Sequence, residues 1–205
     1  MNSRLRFPVL FSSAILALTL AFTTFTHGGA RAQTEASAAD REAARDAFML
    51  VYEVFAHPRC VNCHPVGNKP LQTDRSVPHA MNVQRGPDNK GRTGMRCETC
   101  HQQRPLAGAQ LPPGVPHVEP FPVWQLAPIE MAIQGRRPGE LCRQLKDKRK
   151  TGGLGLKDII FHLDKDPLVL WAFDPGAGRT AVRIPHEDFM AAARTWAQAG
   201  APCPE

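Results

Sequence analysis

Apolar positions recur at helical spacing in four parts of the chain. The first is Ser37–His57, where Asp40 is placed to cap a helix. Its apolar stripe consists of Ala44, Phe48, Val51 and Phe55. The later segments are Glu140–Lys146, Leu156–Leu163 and a last helix that contains Phe189 and Trp196 and ends at Gly200. The pattern therefore predicts a largely helical protein.

Long irregular segments separate these helices. Pro65–Thr93 and Pro105–Pro122 are rich in proline and glycine and show little periodicity. Only Leu168–Phe173 offers an alternating, strand-like pattern. Loops of this length are uncommon in a compact domain unless something other than secondary structure orders them. We expect an all-α fold with extensive irregular loops, and we expect something other than secondary structure to hold these loops in place.

The N-terminus has the pattern of an export signal. A basic start at Arg4 and Arg6 precedes the apolar run Val9–Phe25, and the small residues of Ala30–Ala32 form a cleavage pattern. We expect residues 1–32 to be removed after Ala32, leaving a chain without a membrane span in the periplasm. An uncleaved membrane anchor is the alternative. The remaining chain divides into a region of residues 33–120 and a helical C-terminal region, 121–205, that packs on it.

Removal of the signal changes the charge of the chain. The whole sequence has 25 Lys and Arg against 19 Asp and Glu. The signal contains Arg4, Arg6 and Arg31 and no acidic residue, so the mature chain has 22 basic against 19 acidic side chains. A nearly neutral chain lacks the electrostatic footprint of a nucleic-acid-binding protein. We therefore expect no nucleic-acid partner.

Two copies of one five-residue motif hold four of the six cysteines. They are Cys60-Val61-Asn62-Cys63-His64 and Cys97-Glu98-Thr99-Cys100-His101. The pattern Cys-x-x-Cys-His is typical of c-type haem attachment. Two thiols on one helical turn can bond to the two vinyl groups of one porphyrin, and the following histidine can bind its iron. The sequence predicts two covalent haems with His64 and His101 as the proximal iron ligands.

The four motif cysteines could instead bind zinc or form disulfides. Paired Cys-x-x-Cys motifs also build four-thiolate zinc sites, and cysteines of an exported protein also form disulfides. A zinc ribbon does not require histidine after both pairs, and its pairs are usually closer together than Cys63 and Cys97. These features favour haem. The haems would also provide the element that orders the long loops.

The sequence identifies the sixth ligand of each iron less clearly than it identifies the proximal histidine. His79 lies between the two motifs, after Pro78, and is predicted to bind one iron. Met131 lies downstream of the second motif in the usual arrangement of a thioether ligand and is the candidate for the other. The complete set of candidates is His57, His79, His117, His162, His186, Met81, Met95, Met131 and Met190.

The remaining cysteines are Cys142 and Cys203. In an oxidising compartment the simplest expectation is a disulfide between the helix at Glu140–Lys146 and the C-terminal tail. Free thiols or a metal site are the alternatives. Neither is favoured, because no histidine or further cysteine clusters beside the two residues in the sequence.

Three segments around the motifs carry a resemblance to a known family. His57–Pro65, Pro78–Gly86 and Met95–Gln102 resemble bacterial exported dihaem cytochromes labelled as isoquinoline 1-oxidoreductase subunits. The resemblance extends over nearly all of the mature chain and implies a molybdenum hydroxylase as the redox partner. The chain departs from the family at Gln125, where a histidine is frequent. A looser similarity, over residues 60–102, is to the dihaem small subunit of periplasmic nitrate reductase, and it implies that His79 is an iron ligand.

The expected function is electron transfer between protein partners. Two haems would accept single electrons from a dehydrogenase or oxidoreductase and pass them to a downstream acceptor, without substrate chemistry of the chain's own. The alternative is a small haem enzyme, a peroxidase or reductase, with one open iron position. That alternative needs acid–base residues beside the open position, and the sequence shows no recognisable catalytic constellation.

Overall fold

Ser37 begins the first helix, α1 (Ala38–Phe55), through a capping box. The Ser37 hydroxyl accepts a hydrogen bond from the Asp40 amide at 3.1 Å, and the Asp40 carboxylate accepts one from the Ser37 amide at 3.0 Å. The cap is therefore Ser37, and Asp40 is its partner three residues later. This computed structural model describes residues 37–205, so the predicted signal peptide lies outside the described residues.

Helices dominate the described residues. After α1 they are α2 (Pro58–Val61), α3 (Cys97–Cys100), α4 (Pro138–Leu145), α5 (Leu156–Lys165), α6 (Pro167–Leu170) and α7 (His186–Gln198). Short 3-10 turns form at Ala80–Asn82 and Ile129–Met131. No helix among residues 37–205 is long and apolar enough to cross a membrane.

The apolar stripes of α1 and α7 build the centre of the core. Phe48 lies 4.9 Å from Trp196 between ring centroids, and Phe55 packs edge-on against Phe189. Leu141 of α4 and residues of α5 belong to the same buried cluster. Burial of such large side chains is the main favourable contribution to folding. Because α1 comes from residues 33–120, the two regions expected from the sequence share one core.

The long loops contain two short hairpins. Strands β1 (Leu71–Gln72) and β2 (Val77–Pro78) pair antiparallel, as do β3 (Gly91–Arg92) and β4 (Met95–Arg96). These hairpins precede the 3-10 turn at Ala80–Asn82 and the helix α3. They therefore hold the segments that lead to His79 and to the second cysteine motif.

Leu168–Phe173, the one segment with a strand-like pattern, is not a strand. Its first residues form α6, because Asp166 accepts a hydrogen bond from the Leu168 amide at 2.8 Å and Pro167 occupies the first helical position. A cap of this kind together with proline at the first turn strongly favours a helix start. Local capping therefore overrides the alternation.

Candidate functional site

The first cysteine motif occupies α2 and the turn after it. The motif histidine, His64, points its Nδ1 at the main-chain carbonyl of Met131, 2.8 Å away. A carbonyl can only accept, so Nδ1 carries the proton and Nε2 keeps its lone pair. Burial lowers the pKa of His64 to about 4, so the ring is neutral at physiological pH. This is the tautomer and charge state that a metal-binding histidine needs.

The second motif repeats the arrangement. His101, at the end of α3, donates from Nδ1 to the main-chain carbonyl of Pro113 at 2.9 Å, and burial lowers the pKa of His101 to about 4. Trp124 stacks on the ring, with centroids 4.2 Å apart and planes inclined by 6°. A cleft of about 420 Å³ opens beside these two side chains. The sequence pattern does not distinguish Trp124 from the other tryptophans, and only its contact with His101 places it in the site.

The His79 ring lies close to the His101 ring. The two ring centroids are 6.1 Å apart, and the ring planes are inclined by 69°. Two imidazoles on opposite sides of one metal, with metal–nitrogen bonds of about 2 Å, have ring centres about 6 Å apart. The structure therefore places His79, the predicted ligand of one iron, beside the histidine of the second motif.

Each of the two rings bonds through its Nδ1 to a main-chain carbonyl and leaves Nε2 without such a contact. An edge-to-face aromatic pair has a similar spacing, so the other ring nitrogen is informative. His79 donates from Nδ1 to the carbonyl of Ala80 at 2.9 Å, as His101 does to Pro113. Burial keeps the His101 ring neutral, so its Nε2 is the unprotonated nitrogen. The loop takes a left-handed turn at Met81, where φ is 61°, shortly after His79.

The four motif cysteines form no disulfide, so a disulfide role for them does not fit the structure. Burial raises the pKa of Cys60 to about 12 and that of Cys63 to about 11, and it also raises the pKa of Cys97. Without a bound group, the Cys60 and Cys63 thiols are therefore protonated at neutral pH. Within residues 37–205, no three His, Cys, Asp or Glu side chains converge in a way that could hold a metal ion. A haem, whose porphyrin supplies four ligands, needs only axial residues from the chain.

Polar atoms without partners border the first motif. Of the buried side-chain nitrogen and oxygen atoms in the described part of the chain, three lack a hydrogen bond: Nε of Arg59, Oδ1 of Asn62 and Nε of Arg85. Arg59 and Asn62 belong to the segment of α2, and the charge of Arg85 acts on the pKa of His64. Buried polar groups in folded proteins are nearly always satisfied. Two buried guanidinium groups are suitable donors for the carboxylates that a haem carries.

Met131, the predicted thioether ligand of one iron, instead contacts the first motif histidine through its main chain. Its carbonyl is bound by Nδ1, the nitrogen on the side of the ring that faces away from Nε2 and a metal. Its sulfur accepts a hydrogen bond from the buried Gln144 amide at 3.4 Å, inside the core. Met131 is therefore a core residue that orients His64 through its main chain. The sequence does not reveal that the Met131 carbonyl lies on the Nδ1 side of the His64 ring.

Arg85 connects the loop between the motifs to the segment before Met131. Its guanidinium donates to the Asn89 side chain at 2.9 Å, to the carbonyl of Gly67 at 3.2 Å and to the carbonyl of Ala127. Arg85 is only 5 % exposed, so the guanidinium and the hydrogen bonds that it donates are shielded from water. Arg85 belongs to the segment Pro78–Gly86 that carries the family resemblance, but the sequence does not reveal which carbonyls it binds.

We expect Arg85→Met to lower the free energy of unfolding by about 3 kcal/mol, because the substitution leaves main-chain carbonyls unsatisfied in a buried place. Urea unfolding followed by tryptophan fluorescence measures the change. Arg92→Met, at an exposed arginine of the same loop, serves as the matched control and should change stability by less than about 0.5 kcal/mol. Equal stability of the two variants would contradict the role of Arg85.

Comparisons with known protein families, curated protein sequences and solved structures find no match to this chain.

Proposed function

We propose that this chain is an exported dihaem c-type cytochrome of the periplasm that transfers single electrons between a redox partner and a downstream acceptor. The observation that carries the proposal is the repeated environment of the motif histidines. His64 and His101 are both neutral, both bonded through Nδ1 to a carbonyl, and both preceded by two unpaired thiols. His79 would complete the second site from the opposite side.

The residues of each motif fit covalent attachment. Cys60 and Cys63 would hold one haem, and Cys97 and Cys100 the other. At each cysteine the S–H bond adds across a vinyl group, so that sulfur bonds to one carbon and hydrogen to the next, with no oxidant consumed. A bound haem supplies a reversible one-electron iron couple. The chain orients the axial imidazoles, excludes water around them and satisfies the haem carboxylates through Arg59 and Arg85.

Electron transfer is favoured over substrate chemistry at the second site. A haem enzyme needs an open or displaceable iron position with acid–base groups beside it. His79, whose ring centroid is 6.1 Å from that of His101, would fill that position. By the resemblance of the motif segments, the electron donor would be a molybdenum hydroxylase or a related oxidoreductase.

The number of covalent haems tests the proposal. Protein produced with its signal in a host that matures c-type cytochromes should give two haems per chain in a denatured pyridine haemochrome assay. Cys60→Ser/Cys63→Ser and Cys97→Ser/Cys100→Ser should each retain one. The reason is that the cysteine sulfur forms the bond to the vinyl carbon, and a serine hydroxyl does not replace it.

Cys142→Ala/Cys203→Ala is the matched control, because it also removes two cysteines but should keep both haems. Absence of covalent haem, together with one zinc ion per chain by elemental analysis, would contradict the proposal and favour a thiolate site. One haem in the unmodified protein would contradict the dihaem assignment.

A further inference from the structure

One segment of the chain, residues 136–150, is strongly basic and lies on the surface. It contains seven lysine and arginine side chains against the two acidic side chains of Glu140 and Asp147. All seven basic residues are exposed: Arg136, Arg137, Arg143, Lys146, Lys148, Arg149 and Lys150. The rest of the mature chain has 15 basic against 17 acidic residues. The whole positive excess of the mature chain therefore lies in this basic segment.

The two acidic side chains of the basic segment are already paired within it. Glu140 lies 2.6 Å from the guanidinium of Arg137, and Asp147 lies 2.8 Å from that of Arg149. Lys146 donates to the main-chain carbonyl of Ala201 at 2.8 Å, which holds the ammonium group without neutralising it. The basic segment consequently has five more positive than negative charges.

Main-chain hydrogen bonds attach the start of the basic segment to the first cysteine motif. The carbonyl of His64 accepts the amides of Ile133 at 2.9 Å and Gln134 at 3.3 Å. The Gln134 side chain in turn accepts the amide of Val66 at 2.9 Å. Arg137 follows Gln134 by three residues, and three residues of chain span at most about 11 Å. The positive charge of the basic segment therefore begins close to the motif histidine.

The surface beside the first motif also has an apolar contact point. Val66, two residues after His64, is 66 % exposed. Protein interfaces combine apolar contacts with a polar or charged rim. The helix of the basic segment, α4, turns its apolar residues Leu141 and Leu145 into the core, so α4 has no apolar side to insert into a lipid surface. The arrangement favours a protein partner over a membrane.

We propose that the basic segment and Val66 form the docking surface for a redox partner that presents clustered carboxylates. The inference rests on the proposed electron-transfer function and adds the chemistry of the partner and the place where it docks. Opposite charges on two surfaces steer the partners together and raise the rate of association. A partner bound here lies against the first motif, because the basic segment is attached to His64.

Oxidation of the reduced protein by hexacyanoferrate(III) at low ionic strength tests this surface. The oxidant is a trianion, and each ion takes one electron from the protein to become hexacyanoferrate(II). Lys148→Glu/Arg149→Glu/Lys150→Glu should slow the reaction roughly tenfold, because the surface then repels the oxidant. An octaglutamate peptide should compete with the oxidant on the unmodified protein and have no effect on the variant.

Arg75→Glu/Arg92→Glu/Arg104→Glu is the matched control. These three arginines are exposed and lie outside the basic segment, and their reversal changes the net charge by the same amount. The control should keep most of the rate of the unmodified protein. Equal slowing in the two variants would reduce the effect to overall charge and overturn the proposal.

Nuclear magnetic resonance gives a readout that does not depend on electron transfer. Hexacyanochromate(III), a paramagnetic trianion, should broaden the amide signals of residues 136–150 and Val66 in the unmodified protein. Broadening confined to other surfaces would overturn the docking site. Absence of covalent haem in the haemochrome assay would overturn the proposed function, whereas the broadening tests the surface independently of haem.

Vesicles that contain phosphatidylglycerol separate a protein partner from a lipid surface. The unmodified protein should show no binding to them at physiological ionic strength. Vesicle binding that Lys148→Glu/Arg149→Glu/Lys150→Glu abolishes, without competition by octaglutamate in the oxidation assay, would assign the basic segment to an anionic membrane and overturn the protein partner.

Discussion

His79→Gly is expected to convert one of the two haems almost completely from low-spin to high-spin. The substitution removes the ring that lies 6.1 Å from His101 and leaves space for a small ligand on that side. Added imidazole should enter this space and restore the low-spin state. Optical spectra and electron paramagnetic resonance of the oxidised protein measure both steps.

Met81→Leu is the matched control for His79→Gly. Met81 lies two residues further along the same loop and offers the alternative thioether ligand, but its side chain is 72 % exposed. We therefore expect Met81→Leu to keep both haems low-spin. A high-spin haem in Met81→Leu, or two low-spin haems in His79→Gly without imidazole, would show that the loop supplies a different ligand.

Cys142→Ala/Cys203→Ala is expected to lower the free energy of unfolding by about 4 kcal/mol, because the disulfide reduces the conformational entropy of the unfolded chain. The structure joins these cysteines by a disulfide across a sequence separation of 61 residues. The bond attaches the C-terminal tail to α4, and two further contacts hold the same tail. Trp196 donates to the carbonyl of Pro202 at 3.0 Å, and Lys146 donates to the carbonyl of Ala201 at 2.8 Å.

Guanidinium unfolding with and without a thiol reductant measures the contribution of this disulfide. Reductant should lower the stability of the unmodified protein toward that of the double variant and leave the double variant unchanged. The haem content should not change in either case, because thioethers are not reduced by thiols. A variant as stable as the unmodified protein would show that the contacts of Trp196 and Lys146 hold the tail without the disulfide.

The helices and the disulfide are the parts that sequence patterns predict well. The stripes at α1, α5 and α7 arise from local periodicity, and they reappear as buried faces in the structure. The capping of α1 shows the limit of a local rule. Ser37 and Asp40 are both good caps, and only the hydrogen bonds decide that Ser37 holds the cap position.

The surroundings of the motif histidines depend on contacts between distant parts of the chain. The carbonyls that bind His64 and His101 belong to Met131 and Pro113, and main-chain acceptors leave no signature in the residue types. For this reason the sequence position that makes Met131 a candidate iron ligand does not reveal that Met131 lies on the Nδ1 side of the His64 ring.

The pairing of α1 with α7 also affects when the chain can fold. Phe48 and Trp196 are about 150 residues apart in the sequence, so the central contact cannot form until the end of the chain has been synthesised. During synthesis α1 therefore has no partner for its apolar stripe. A protein with this topology can complete its core only after the last helix has been synthesised, so any chaperone that protects the growing chain would have to cover the apolar stripe of α1 until then.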